Sequence, residues 1–316
     1  MFGYHSGKNV SNNRVAVPQF RLLTVLVVVS AALAWHALLR AFKLAATDDQ
    51  YTQILLILPV SFAFIYMEWR SVRRFVKPGI GLGTTVICAA VLVAISTIAL
   101  AGRITPDIRL ALEMFALITF WIGSFVLCFG TKVSRVLLFP LGFLYWMVPL
   151  PAIVLNEIVR YLQDGSAIAS KALFAVAGVP VLQDGLQLTI PGLTVEIAKE
   201  CSSIRSSLLL LVTTMVLAQL FLRSPWRKAM VIAVAVPLSV AKNGLRIFTI
   251  AMLGTRVDPG YLTGKFHHQG GIVFFLIALL IVFFLLRLLE RAESRATKES
   301  ELKTAVSCQN ALVQDR

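Results

Sequence analysis

Residues 195–222 read VEIAKECSSIRSSLLLLVTTMVLAQLFL, a short polar and charged run that opens directly into a long apolar one. The apolar part, Leu208 to Leu222, and the serines before it approach the roughly 20 residues that a helix needs to cross a bilayer. Charged side chains this close to a membrane span are costly unless they serve a purpose. The polar run also contains Cys201. Free cysteines usually behave as small buried apolar residues, so an incidental and a functional role are both open for it on this stretch alone.

The composition of the whole chain indicates a membrane protein. Of its 316 residues, 58% are hydrophobic and 15% are charged, which is unlike an ordinary soluble domain. The net charge of +14 would suit a nucleic-acid partner, but the basic residues are scattered between apolar runs and form no patch. Positive loops at a membrane surface explain this charge better. We therefore expect the lipid bilayer, and no nucleic acid, as a partner.

The four cysteines fit no disulfide framework and no metal-ligand spacing. Cys88 and Cys128 lie inside apolar runs, and Cys308 lies in the polar C-terminal segment. Only Cys201 has polar neighbours.

Eight runs are long and apolar enough to be membrane spans. The predicted fold class is an all-α polytopic membrane protein with about eight transmembrane helices. We expect a cytoplasmic N-terminal arm over residues 1–20, a transmembrane domain over 21–290, and a cytoplasmic tail over 291–316. The first apolar run is expected to be retained as a span, since no signal-peptide pattern precedes it. The eight runs cover about residues 21–41, 52–68, 80–101, 108–129, 135–154, 203–222, 229–252 and 271–289.

The distribution of basic residues predicts the orientation of these spans. With both termini in the cytoplasm, the inner connecting segments hold twice as many Lys and Arg residues as the outer ones. Such an excess in short loops marks the cytoplasmic side. We expect a multi-pass protein of the inner (cytoplasmic) membrane with both ends in the cytoplasm.

The longest interruption between spans, at about 155–202, is predicted to lie on the outer face. Its first half has the pattern of one or two helices that lie along the interface or pack over the bundle. Its second half alternates apolar and polar residues and contains the turn dipeptides Asp184-Gly185 and Pro191-Gly192. This pattern predicts a small antiparallel sheet. The insertion is therefore expected to be a small extracytoplasmic helix plus a β-hairpin that delivers the chain to Cys201.

The seventh run carries polar residues near its outer end. Ser239, Lys242, Asn243 and Arg246 share one helical face, because residues three and four apart are neighbours on a helix. Arg246 would lie about 27 Å above Lys228, near the outer limit of a hydrocarbon core about 30 Å thick. Basic residues near a span end often snorkel to the headgroups. Asn243 on the same face favours the other possibility, a face turned to the protein interior or to a wet cavity.

Two adjacent histidines, His267 and His268, precede the last run on the predicted outer side. They have no third ligand at a suitable spacing, so we expect neither a metal nor any other cofactor. Taken alone, the pair fits an ordinary loop at a helix start.

The predicted depths bring Cys201, Arg246 and the histidine pair to the same side of the membrane. A helix N-terminus and a nearby cation favour a thiolate. A histidine exchanges protons near neutral pH, and an arginine can hold a developing oxyanion. Together these groups suit thiol-based acyl transfer at the outer membrane face.

Four segments of the chain, in this order, resemble motifs of the exosortase/archaeosortase family of integral-membrane cysteine transpeptidases. The motif-level resemblance lies in residues 149–275, and the likeness covers most of the span architecture. Ser203 stands where the family often has glycine. The four segments are Pro149-Leu150-Pro151 with Leu162-Gln163, Ala198 to Ser206 around Cys201, Asn243-Gly244-Leu245-Arg246-Ile247, and Phe266 to Gly271.

The resemblance implies that Cys201 is the nucleophile and Arg246 the basic catalytic residue. It implies His267 as the acid and base, with His268 as the alternative. Residues expected to support the site or the substrate are Asn243, Arg205, Lys242 and Glu200.

The resemblance also implies a substrate class. The substrates would be exported proteins with a C-terminal sorting signal made of a short motif, a transmembrane helix and a basic tail. Cys201 would cleave beside the motif, hold the protein as a thioester and pass it to a surface acceptor. Two alternatives stay open: a non-catalytic transporter or assembly component of exopolysaccharide export, and an intramembrane protease that only hydrolyses.

Overall fold

A computed structural model of the chain describes residues 9–196, 204–258, 260 and 271–314. The described chain forms two compact units, which divide between Asn156 and Glu157. Eleven helices and three strands are described. The helices are α1 (Asn9–Leu33), α2 (Trp35–Thr47), α3 (Ile54–Val72), α4 (Ile80–Ala99), α5 (Pro106–Phe129), α6 (Thr131–Val136), α7 (Leu138–Phe143), α8 (Ala152–Val176), α9 (Ile204–Phe221), α10 (Pro225–Arg256) and α11 (Gly271–Gln314); the strands are β1 (Leu182–Asp184), β2 (Gln187–Ile190) and β3 (Leu193–Glu196).

The predicted all-α polytopic membrane fold is confirmed. Within the described ranges, six helical segments are long and apolar enough to cross a bilayer, and the number rises to eight if two bent helix pairs each count as one span. The six segments correspond to the second, third, fourth, sixth, seventh and eighth predicted runs. The chain is therefore a multi-pass membrane protein.

The first and fifth predicted runs are the ones that the structure bends. Pro18–Leu33 and Trp35–Thr47 meet at 77°, and Leu138–Met147 and Ala152–Val176 meet at 98°. The second break contains Pro149 and Pro151. Proline has no backbone N–H and a fixed φ, so two prolines in three residues prevent a continuous helix there.

In the first unit, α4 and α5 pack closely through glycines. A Cβ on Gly83 would lie 2.6 Å from the backbone of Leu127, so only glycine allows this approach. The break before α8 is held from two sides of this unit. The Tyr51 hydroxyl donates to the carbonyl of Leu150 over 3.0 Å, and the backbone N–H of Ala152 donates to the Asp107 carboxylate over 2.8 Å.

After this break the sequence predicted one or two helices, and the structure has one. Its 25 residues form α8, longer than the small helix expected. The charged residues Glu157, Arg160 and Asp164 are exposed. The opposite face is buried and is made of Leu155, Val159, Leu162, Gln163, Ser166, Ala167, Ser170 and Phe174.

The predicted antiparallel sheet is present, with three strands in the order β1-β2-β3 where a hairpin was expected. Its two turns lie at the predicted dipeptides, because Gly185 and Gly192 have φ of 56° and 85°, values that favour glycine. Leu188 and Ile190 are buried on one face of β2 and pack in a cluster with Phe174 of α8.

The last three helices form the rest of the second unit. Leu210 of α9, Val231 of α10 and Val282 of α11 belong to one buried apolar cluster. In the turn between α9 and α10, the backbone N–H groups of Arg223 and Ser224 donate hydrogen bonds to the carboxylate of Glu293 in α11. The predicted tail beyond residue 290 continues α11 as one helix to Gln314.

Candidate functional site

Four of the eight predicted site residues lie in the described part of the chain. They are Arg205, Lys242, Asn243 and Arg246. The other four, namely Glu200, Cys201, His267 and His268, lie outside the described residues. The geometry described below is therefore that of the helices that precede or follow these residues in the sequence.

The polar face of α10 is turned into the protein. Ser239 is buried, Lys242 is 6% exposed, Asn243 is fully buried and Arg246 is 9% exposed. The prediction that this face points to the interior is confirmed, and snorkelling to the headgroups is wrong. Polar and charged side chains that are buried within a membrane span are costly, and these four residues therefore form a candidate site.

Two hydrogen bonds join this face to the first turn of α9. The Ser239 hydroxyl donates to the Ser207 hydroxyl over 2.6 Å. One turn further along α10, the Lys242 ammonium donates to the Ser206 hydroxyl. We call these two bonds the α9–α10 hydroxyl contacts. They fix the start of α9, the helix that follows Cys201 in the sequence, against the buried face of α10.

Arg246 lies beside the start of α11. A Cβ built on Gly271, the first residue of α11, would be 4.0 Å from the guanidinium carbon of Arg246. This is ordinary van der Waals distance. The buried face of α10 therefore borders two helix starts, α9 through Lys242 and α11 through Arg246.

Gly244, within the Asn-x-x-Arg segment, makes the contact between α10 and α8. A Cβ at this position would be 2.5 Å from the Cβ of Ala169 and 3.1 Å from the backbone nitrogen of Ser170. The Ser170 hydroxyl also donates to the Gly244 carbonyl over 3.1 Å. The glycine lets α8 approach α10 beside Asn243, so its role in the motif is one of packing.

The sequence analysis missed the polar side of α8. Gln163, Ser166 and Ser170 are all buried, and the Ser166 hydroxyl donates to the carbonyl of Leu162 over 2.5 Å. Their spacing of three and four residues was visible in the sequence as one helical face.

Arg205 differs from its neighbours in the first turn of α9. Its side chain is exposed, whereas Ser206 is half-buried and Ser207 is buried. Arg205 thus does not share the buried surface that meets α10. Over the described ranges, no three His, Cys, Asp or Glu residues are grouped as metal ligands would be.

These features define a polytopic helical membrane protein whose second unit has a buried basic and hydroxyl-rich face bordering two helix starts. The family model described as "Transmembrane exosortase" matches residues 35–284. This range covers most of the chain and includes α8, α9, α10 and the start of α11, so the chain belongs to the transmembrane exosortase family, a family of membrane cysteine transpeptidases. No match was found among curated proteins or among solved structures.

Proposed function

We propose that this protein is a membrane cysteine transpeptidase that cleaves the C-terminal sorting signal of exported proteins and transfers them to a surface acceptor. One observation carries the proposal. A single buried face of α10 meets the start of α9 through Lys242 and lies beside the start of α11 through Arg246. Cys201 comes shortly before α9 in the sequence, and the histidine pair comes shortly before α11.

Chain length limits how far the reacting groups can be from this face. Ile204 is the third residue after Cys201, and Gly271 is the fourth residue after His267 and the third after His268. Three or four residues of fully extended chain span about 10–14 Å at most. This limit supports assigning Cys201, Arg246 and His267 to one site, with His268 as the alternative to His267.

In the first half of the proposed reaction, the Cys201 thiolate attacks the carbonyl carbon of the peptide bond beside the sorting motif. Arg246 holds the oxyanion that forms, and its low exposure strengthens that interaction because little water competes. The His267 imidazolium gives its proton to the leaving nitrogen as the C–N bond breaks. The exported protein is then a thioester on Cys201, and the C-terminal peptide leaves as an amine.

In the second half, an acceptor nucleophile attacks the thioester carbonyl. His267, now neutral, takes the proton of the acceptor as the new bond forms. The C–S bond breaks and Cys201 returns as the thiolate. Asn243, Arg205, Lys242 and Glu200 are assigned to support of the site or of the substrate.

The proposed substrate ends in a short motif, a transmembrane helix and a basic tail. Such a signal would lie in the bilayer beside the enzyme, with the motif at the extracytoplasmic side. The proposal therefore places the protein in the inner membrane with both termini in the cytoplasm. The excess of Lys and Arg in the inner segments supports this orientation.

The experiment uses a tagged exported protein with such a C-terminus, taken from the same genome and produced together with the chain. We expect the wild type to shorten the reporter and Cys201→Ala to abolish both the shortening and any thioester adduct. A Cys201→Ala variant that still shortens the reporter at the normal rate would refute the proposal. The mass of the product separates the two reactions, because hydrolysis leaves a free carboxylate and transfer leaves an added acceptor.

A transporter or an assembly component of exopolysaccharide export is the second candidate. Lys242 and Arg246 are buried one turn apart on α10, and two such cations would suit an anionic solute. This function predicts that Arg246→Ala loses activity while Cys201→Ala keeps it. The same pair of variants therefore decides between the two candidates.

A further inference from the structure

We propose that a groove on one side of α11 binds an anionic phospholipid, with the phosphate against three arginines and the acyl chains along the apolar part of the helix. We call this surface the arginine groove, and its residues include Leu280, Phe284, Arg287, Leu288, Arg291 and Arg295. Arg287 stands 16 residues after Gly271, which is about 24 Å along the helix. The arginine groove is therefore separate from the candidate site, and lipid binding there does not depend on the proposed function.

The first step of the argument is the change of composition along α11. From Gly271 to Leu286 this helix contains no charged residue, and Arg287 is the first. Leu280 and Phe284 are each 66% exposed, so this side of the apolar part is open to the acyl chains of the bilayer. The arginine groove thus passes from the hydrocarbon region into the headgroup layer, where lipid phosphates lie. In the predicted topology this is the inner leaflet.

The second step is the charge of the arginine groove. Arg287, Arg291 and Arg295 follow one another at intervals of four residues, which places them on one helical face. All three are exposed. Arg287 pairs with Glu290 over 3.1 Å, and over the described ranges no ion pair includes Arg291 or Arg295. Three arginines and one carboxylate leave two net positive charges, which complement an anionic headgroup.

The third step is the way in which Arg287 is held. Its guanidinium carbon lies 5.0 Å from the ring centroid of Phe283 and 5.0 Å from that of Phe221 in α9. Both contacts are favourable for a cation. A guanidinium presents five N–H donors in a fork that matches a phosphate, and the pair with Glu290 uses Nη1. A side chain that is already held loses less freedom on binding, so Arg287 is preorganised for a phosphate.

The fourth step separates a binding site from the general excess of positive charge, which by itself only orients the spans. The arginine groove has a volume of about 970 Å³, the size of a site for a small molecule. Arg223 is the useful comparison. It is exposed, and its backbone N–H donates to the Glu293 carboxylate, which places it level with this part of α11. Its side chain is not among those that line the arginine groove.

The test measures lipid binding by the purified full-length chain in detergent. Native mass spectrometry follows the first bound lipid during titration with phosphatidylglycerol, which is anionic, and with phosphatidylcholine, which is zwitterionic. The variants are Arg287→Gln, Arg291→Gln and the two combined. Arg223→Gln is the matched control, because it removes the same charge at the same level of the second unit. Thermal unfolding with and without phosphatidylglycerol is a second measurement, since a ligand that binds the folded state stabilises it.

We expect the wild type to bind phosphatidylglycerol about tenfold more tightly than phosphatidylcholine, because only the first lipid has a net negative charge. Arg287→Gln and Arg291→Gln should each weaken phosphatidylglycerol binding by about fivefold, the size expected for one basic residue at an anionic membrane surface. Arg223→Gln should bind this lipid as the wild type does. Phosphatidylglycerol should raise the Tm of the wild type and of Arg223→Gln, but not that of the combined variant.

Three results would overturn the inference. Equal affinity of the wild type for the two lipids would show that the arginine groove does not recognise an anionic headgroup. A loss of phosphatidylglycerol binding in Arg223→Gln as large as that in Arg291→Gln would show a general attraction to a basic surface. A wild type that is dimeric and becomes monomeric in Arg291→Gln would assign the arginine groove to a second copy of the chain.

Discussion

The hydroxyl of Ser239 on α10 donates a hydrogen bond to the hydroxyl of Ser207 on α9, and both side chains are buried. In the sequence these residues stand 32 positions apart. Their bond, one turn from the Lys242 contact to Ser206, sets which residues of α9 face the polar side of α10. It also fixes the start of α9, which begins three residues after Cys201 in the sequence.

A double-mutant cycle on Ser207 and Ser239 should reveal this bond as a coupled pair. We expect Ser207→Ala or Ser239→Ala alone to lower the free energy of unfolding by about 1 kcal/mol, since each leaves one buried hydroxyl without this partner. The double variant should lose little more than either single one. Thermal unfolding of the purified protein in detergent provides the measurement. Additive losses would show that the two hydroxyls do not interact.

Gly244 offers a separate test of the packing between α8 and α10. We expect Gly244→Ala to destabilise the protein by about 1–3 kcal/mol, because the new methyl group would overlap the Cβ of Ala169 and overpack the contact. Gly81→Ala is the control, since this glycine lies in the first turn of the long helix α4 and a Cβ there meets nothing within 4 Å. Both variants would be compared by thermal unfolding in detergent. Equal stability of the two would contradict the close approach of α8.

Much of the fold was predictable from the sequence because two local signals dominate it. Apolar runs of span length located α3, α4, α5, α9, α10 and α11. Turn dipeptides located the strands, since Gly185 and Gly192 occupy the conformations that glycine favours. The bends in the first and fifth runs were not predicted. Hydropathy averages over a window and does not record where a helix stops, even though Pro149 and Pro151 marked the second break.

The candidate site was predictable in part, for a different reason. The shared face of Ser239, Lys242, Asn243 and Arg246 follows from helical spacing, which the sequence contains. Its contacts with α8 and α9 depend on how helices pack, which spacing alone does not determine. The sequence therefore indicated that Asn243 faces inward, but not that Ser206 would meet Lys242 or that Ser170 would meet the Gly244 carbonyl.

Chemical labelling of introduced cysteines can test the predicted orientation of the spans. In a chain without its native cysteines, we expect Gly102→Cys to react with an impermeant maleimide in intact cells. Lys132→Cys should react only after the membrane is permeabilised. Both residues are exposed, and they lie shortly before and shortly after α5, so they report opposite sides of the membrane. The reverse pattern would contradict the predicted topology and move the site to the cytoplasmic side.

The contact between Arg246 of α10 and the first residue of α11 can be tested by changing the size of the side chain at position 271. We expect Gly271→Ala to process the reporter as the wild type does, because a Cβ there meets the guanidinium carbon at an ordinary contact distance of 4.0 Å. Gly271→Leu should push the guanidinium away and reduce kcat/KM by about tenfold, which corresponds to roughly 1.4 kcal/mol of lost transition-state stabilisation. In an Arg246→Ala background, Gly271→Leu should cause no further reduction of kcat/KM, since no guanidinium is left to displace. If Gly271→Leu lowered the residual activity of that background equally, the leucine would act elsewhere than on Arg246.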